Sequence, residues 1–114
     1  MGHDKQAELF KALAHPARLH ILMLLRQGEV CVCHIEAALG RRQAYVSQQL
    51  MVLRDAGLVA GRKSGLQVYY RIADARVEAV LAAIYGPSAA SHQPPVLEGC
   101  PCPACSALAA TIIN

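Results

Sequence analysis

No stretch of this 114-residue chain is apolar for long enough to cross a membrane, and its start lacks the pattern of a signal peptide, so a cytoplasmic protein with no membrane partner is expected. No segment repeats. There is no glycine-rich phosphate loop, no cofactor fingerprint and no nucleophile–base pairing, which argues against an enzyme. Aromatics are few: four Tyr, one Phe and no Trp. The hydrophobic content of 54% is largely Ala, Leu and Val, and a chain this short buries a limited core alone, so burial against a second copy is expected. Net charge is only +3, yet it is not spread evenly. Between Glu36 and Ile72 there are six basic residues (Arg41, Arg42, Arg54, Arg62, Lys63, Arg71) against two acids (Glu36, Asp55), a local balance of +4. A concentrated positive segment points to a polyanion such as nucleic acid.

That segment carries the chain's most informative pattern. A helix is expected from about Gln43 to Ala56, with Val46, Leu50 and Leu53 at i, i+4, i+7 facing a core and Gly57 ending it. Ala44, Tyr45, Gln48 and Gln49 fall mostly outside the stripe, with Gln43 and Ser47 at its edges. This face is neutral and rich in groups that donate and accept hydrogen bonds, as base edges in a major groove require. Two β-like runs follow, Leu58–Lys63 and Gln67–Ile72, joined by Ser64-Gly65, a hairpin signal. A polar-faced helix followed by a basic-tipped hairpin reads as a recognition helix with a wing.

The remaining elements support this pair. Asp4 to Ala14 reads as a helix capped by Asp4, and Pro16 opens a second that runs to about Arg26. His15 and His20 are read as structural. Glu29 to His34 enters a short third helix ending near Leu39-Gly40, which forms a helix-turn-helix with the Gln43–Ala56 helix. Asp74 caps a fifth helix to about Tyr85, whose Val77, Val80, Leu81 and Ile84 form an apolar stripe with small residues alongside. That stripe is assigned, with the first helix, to a dimer interface. Residues 86–99 read as a linker, followed by Cys100-Pro-Cys-Pro-Ala-Cys105.

The order of these parts resembles the ArsR/SmtB family of winged-helix metalloregulators. The likeness covers about residues 5–85 and rests on Leu13-Ala-His-Pro-Ala-Arg-Leu-His-Ile-Leu22, Cys31-Val-Cys33, Val46-Ser-Gln-Gln-Leu50, Leu53-Arg-Asp-Ala-Gly-Leu-Val59 and Val68-Tyr-Tyr-Arg-Ile72. It implies a mainly α fold with a β-hairpin wing: a winged helix-turn-helix of five core helices, homodimeric through the first and last of them. It also implies a repressor of double-stranded operator DNA released by an inducer, often a metal or metalloid ion. Residues 1–85 would be the DNA-binding and dimerisation domain, and 86–114 a cysteine-containing tail that is itself an inducer-binding candidate. The DNA-contacting residues expected are Arg41, Arg42, Gln43, Ala44, Tyr45, Ser47 and Gln48, with Arg62 and Lys63 on the wing. Gln49 stands where the family often has His, a departure that bears on operator choice.

The five cysteines are candidate ion ligands rather than a disulfide framework. Cys31 and Cys33 match the thiophilic-ion motif of the arsenic and cadmium/lead branches, but Glu36 stands where the arsenic-responsive version has a third Cys. As(III) takes three thiolates, and soft ions select thiolate. The missing ligand would come from Cys100, Cys102 or Cys105, or those three would form a site of their own. As(III) is the first expectation, with Sb(III), Cd(II), Pb(II) and Hg(II) as alternatives. The bland readings are buried apolar cysteines at 31 and 33, and a structural zinc knot in the tail completed by His92 or by Cys31 and Cys33. The family's zinc and cobalt site on the fifth helix is expected to be absent, because Arg76 replaces a His and no His-x-x-Glu follows Tyr85; Asp74 is then a helix cap. Two rivals stand beside the ion sensor. One is a redox- or reactive-sulfur-sensing repressor using a Cys31–Cys33 or tail disulfide. The other is a metal-buffering protein without DNA binding.

Overall fold

A computed structural model describes residues 2–88. Among them five helices and three strands run in the order α1 (Asp4–Leu13), α2 (Pro16–Leu25), β1 (Val30–Cys31), α3 (Val32–Leu39), α4 (Gln43–Asp55), β2 (Val59–Ser64), β3 (Gln67–Ile72) and α5 (Ala75–Tyr85). The winged helix-turn-helix expected from the sequence is present. The tail cysteines, His92 and the rest of the 86–114 segment beyond Ser88 lie outside the described residues.

Local chemistry explains most of the boundaries. His15 caps α2, its Nδ1 accepting from the Ala17 N–H at 3.1 Å, and Pro16 follows in the first turn, where its missing N–H costs nothing. At α1 the expectation needs correcting. The residue before the helix is His3, with no side-chain cap bond, and Asp4 is the first helical residue. There its charge still suits the positive end of the helix dipole. Gly40, at φ +62°, takes the left-handed conformation that stops α3 and turns the chain into α4. Asp74 is the cap of α5, accepting from the Arg76 N–H at 2.9 Å.

The sheet has the antiparallel order β1-β3-β2. Strands β2 and β3 pair from Val59↔Ile72 to Ser64↔Gln67, so the wing turn is Gly65-Leu66 rather than Ser64-Gly65. Gly65, at φ +60°, supplies the positive φ that a two-residue hairpin turn favours. The two-residue strand β1 is an addition that periodicity could not reveal. It pairs Val30 with Tyr70 and Cys31 with Tyr69, and so welds the entrance of α3 to the wing.

The core lies among α2, α3, α4 and the hairpin. Ile21, Leu22, Ile35, Val46, Leu50, Leu53 and Leu58 are all fully or almost fully buried. Helix α5 joins through Val77 and Leu81. Arg26 also pins it: its guanidinium donates to both oxygens of Glu78 and, at 2.8 Å, to the Gly86 carbonyl. Phe10 on α1 and Ile84 and Tyr85 on α5 stay at least half exposed, which leaves large apolar groups on the outside of both helices. No helix among the described residues is long and apolar enough to cross a membrane.

Candidate nucleic-acid interface and its sulfur corner

Helix α4 divides cleanly. Val46, Leu50 and Leu53 enter the core, while Gln43, Ala44, Ser47 and Gln48 are exposed. Arg41 and Arg42 stand exposed at its entrance, where backbone N–H groups and the helix dipole favour an anion. The Arg41 guanidinium carbon sits 3.9 Å from the centroid of the Tyr45 ring, a cation–π contact that holds the side chain against the helix. Seven of the expected DNA-contacting residues therefore cluster at the N-terminal end of α4.

Gln49 departs from the expected outer face. It is buried, and its Oε1 accepts from Arg18 Nε at 3.0 Å, while Arg18 Nη1 donates to the Lys11 and Ala12 carbonyls. Gln49 thus ties α4 to α2 and to the end of α1. Because the side chain turns inward, its difference from His is a matter of scaffold rather than of base contact.

On the wing, Arg62 and Lys63 are both exposed. Arg62 is already engaged: its guanidinium makes a forked pair with Glu29 at 2.5–2.9 Å and lies 4.8 Å from the Tyr69 ring centroid. That guanidinium holds the Glu29 carboxyl below its ordinary range, and Glu29 in turn raises the arginine's proton affinity. A phosphate would compete with Glu29 for the same donors.

Two residues beyond Glu29 lies the sulfur corner. Cys31 ends β1, caps α3 by accepting from the Cys33 N–H at 3.3 Å, and is buried. Cys33 is half-buried in the first turn of α3. The two are joined as a disulfide across a Cα–Cα distance of 5.3 Å. The Gln67 Oε1 lies 3.1 Å from Cys31 Sγ and 3.5 Å from Cys33 Sγ. Cys33 opens onto a cleft of about 330 Å³ between α3, α4 and the wing, together with Glu36, Gln43, Arg54 and Gln67. Among the described residues no group of three or more His, Cys, Asp or Glu side chains converges. The corner therefore fits a thiophilic ion as a two-thiolate half-site; Glu36 does not complete it. Asp74 is taken up by Arg76, which donates to it through main chain and side chain.

Sequence reading did not single out Gln67 or Glu29. Neither carries a local signal, since each finds its partner 33 to 36 residues away.

Residues 15–60 match the bacterial regulatory protein, arsR family. The chain is 47% identical over 79 residues to the biofilm growth-associated repressor of Agrobacterium fabrum, covering 69% of this chain and 68% of that one. It is 46% identical over 66 residues to the arsenical resistance operon repressor of Escherichia coli, covering 57% of this chain and 56% of that one. Among solved structures, a homodimeric winged helix-turn-helix DNA-binding domain from Mycobacterium bovis superposes with a TM-score of 0.66 at 42% identity, over 71% of this chain and 75% of that one.

Proposed function

Because the chain belongs to the arsR family of bacterial regulatory proteins, DNA-binding transcriptional repressors of the winged helix-turn-helix type, we propose that its operator binding is governed by the sulfur chemistry of Cys31 and Cys33. One observation carries this reading. The sulfur pair touches Gln67 of the wing while the polar face of α4 stands exposed beside it.

Arg41, Arg42, Gln43, Ala44, Tyr45, Ser47 and Gln48 face the major groove or its phosphates, and Arg62 and Lys63 reach the backbone from the wing. The operative unit is a homodimer through α1 and α5, for which the exposed Phe10, Ile84 and Tyr85 are the natural cover. Two-fold symmetry then places two reading helices about one DNA turn, roughly 34 Å, apart.

The inducer is a thiophilic ion, As(III) first, held by Cys31 and Cys33 with a third thiolate from Cys100, Cys102 or Cys105. The arsenical repressor among the relatives supports this choice. Thiolates must form for capture, so response weakens as pH falls. The disulfide favours a second reading, in which a hydroperoxide or reactive sulfur species oxidises the pair, because that chemistry is complete within the described residues. The test is anisotropy of reduced protein on DNA from its own promoter, across salt concentrations, with and without arsenite and then cadmium. Selective, salt-dependent binding relieved by one ion is expected. No selective binding would contradict the repressor reading for this chain, and relief only by peroxide would select the second reading.

A further inference from the structure

The sulfur corner reaches the DNA-binding surface by a route that does not pass through the reading helix. Gln67 is the first residue of β3 and pairs with Ser64 across the two-residue wing turn. It therefore sits at the base of the tip, next in the hairpin to Lys63 and Arg62. Its half-buried side chain leaves the wing and ends between the two sulfurs, with Oε1 3.1 Å from one and 3.5 Å from the other. A carboxamide oxygen only accepts hydrogen bonds, and a sulfur can donate to it only as a thiol.

We infer that Gln67 reads the bonding state of Cys31 and Cys33 and transmits it to the wing. The inference rests on the reading of the pair as the control site. In the dithiol form each S–H can donate to the oxygen, and the tip is held down on the corner. Capture of a divalent soft ion by both sulfurs replaces two S–H bonds with two sulfur–metal bonds and releases two protons. Oxidation by a hydroperoxide converts two thiols and one ROOH into one disulfide, one alcohol and one water. Either way both donors vanish. In the disulfide form the oxygen still lies beside both sulfurs but accepts no hydrogen bond from them, so the hold on the tip is lost; an ionised or ion-bound sulfur repels the oxygen, and the amide turns its N–H2 inward or leaves. Each movement shifts the strand end that positions Lys63. In the free protein Glu29 also ties Arg62 of the hairpin to the residues just before Cys31.

The test uses the full-length reduced protein on promoter DNA, with Cd(II) and hydrogen peroxide as separate probes. Occupancy is read from thiolate-to-cadmium absorbance and thiol count, release from anisotropy. Wild type is expected to lose operator affinity by roughly tenfold or more, the ordinary size of such couplings. Gln67→Met keeps the length and removes the acceptor. It is expected to load Cd(II) as wild type does, to bind the operator already about as weakly as the loaded wild type, and to lose no more than about twofold further in operator affinity on loading. Release by the wild-type factor would overturn the inference, and so would failure to load Cd(II), which would place Gln67 in the ion site instead. Should Gln67→Met not fold, Gln67→Ala decides on the same readouts: it removes the side chain that reaches the sulfurs, so Cd(II) should still load while release on loading stays within about twofold. Release of Gln67→Ala by the wild-type factor would overturn the inference. A wild type that responds to neither probe would instead defeat the control-site reading itself.

Discussion

The exposed face of α4 and the corner at the start of α3 are built on opposite principles. The reading face is a set of side chains that point outward from a well-anchored helix, with Val46, Leu50 and Leu53 fully or almost fully buried behind it. Little in the protein constrains Gln43, Ser47 or Gln48, which leaves them available to a partner. In the corner, by contrast, the groups lie against one another: Cys31 accepts from the Cys33 N–H, the Gln67 oxygen rests beside both sulfurs, and Glu29 is taken by Arg62. One region is arranged to be read against an outside ligand. The other is arranged so that a change within it must be felt by its neighbours.

Substitutions sharpen this difference in order of size. Leu53→Ala attacks the support common to both regions and should cost about 2–5 kcal/mol of stability, measured by urea unfolding. If it did not, α4 would not be the anchored element described here. Cys31→Ser with Cys33→Ser should leave operator affinity of the reduced protein unchanged and abolish a response worth about 1–3 kcal/mol per site, seen as lost relief in an anisotropy titration. On the reading face the opposite split is expected. Gln48→Ala should lose about 1–3 kcal/mol of discrimination between operator and mutated operator, with an unchanged melting temperature. Lys63→Ala should weaken binding to all sequences alike and lower the salt slope by about one phosphate contact.

The smallest effect belongs to the anchor of α5. Arg26 holds the Glu78 carboxyl below its ordinary value, so this pair adds stability that is complete above the usual carboxyl range, near 4.5, and fades as pH falls through the lowered value. Glu78→Gln should therefore flatten the stability profile in that acid window and leave it little changed at neutral pH. A profile of unchanged shape would show that the pair does not tie α5 to α2.

The reading face was legible in the sequence because it is local. Three apolar residues at helical spacing orient α4, and a basic-tipped alternating stretch after Gly57 announces the wing. Gln49 was misplaced because periodicity puts it near the edge of the stripe. What buries it is Arg18, 31 positions earlier, whose guanidinium supplies a partner for an inward amide. Strand β1 was invisible because two residues have no period, and its existence depends on the edge that β3 offers. The cysteine pair was legible as chemistry from its spacing alone. Its connection to Gln67 was not, since nothing within ten residues of either cysteine records which wing side chain will arrive there. The tail cysteines stay an expectation of composition, outside the described residues.

The central claim is that the sulfur pair and the operator compete for one protein state. The most direct test follows both in one cuvette: thiol count and operator anisotropy on the same reduced sample as arsenite, cadmium or peroxide is added stepwise. The account predicts that DNA release tracks the loss of the Cys31 and Cys33 thiols, and that both curves vanish together in the double serine variant. Release that proceeds undiminished in that variant, or complete loss of both thiols with the operator still bound, would contradict it.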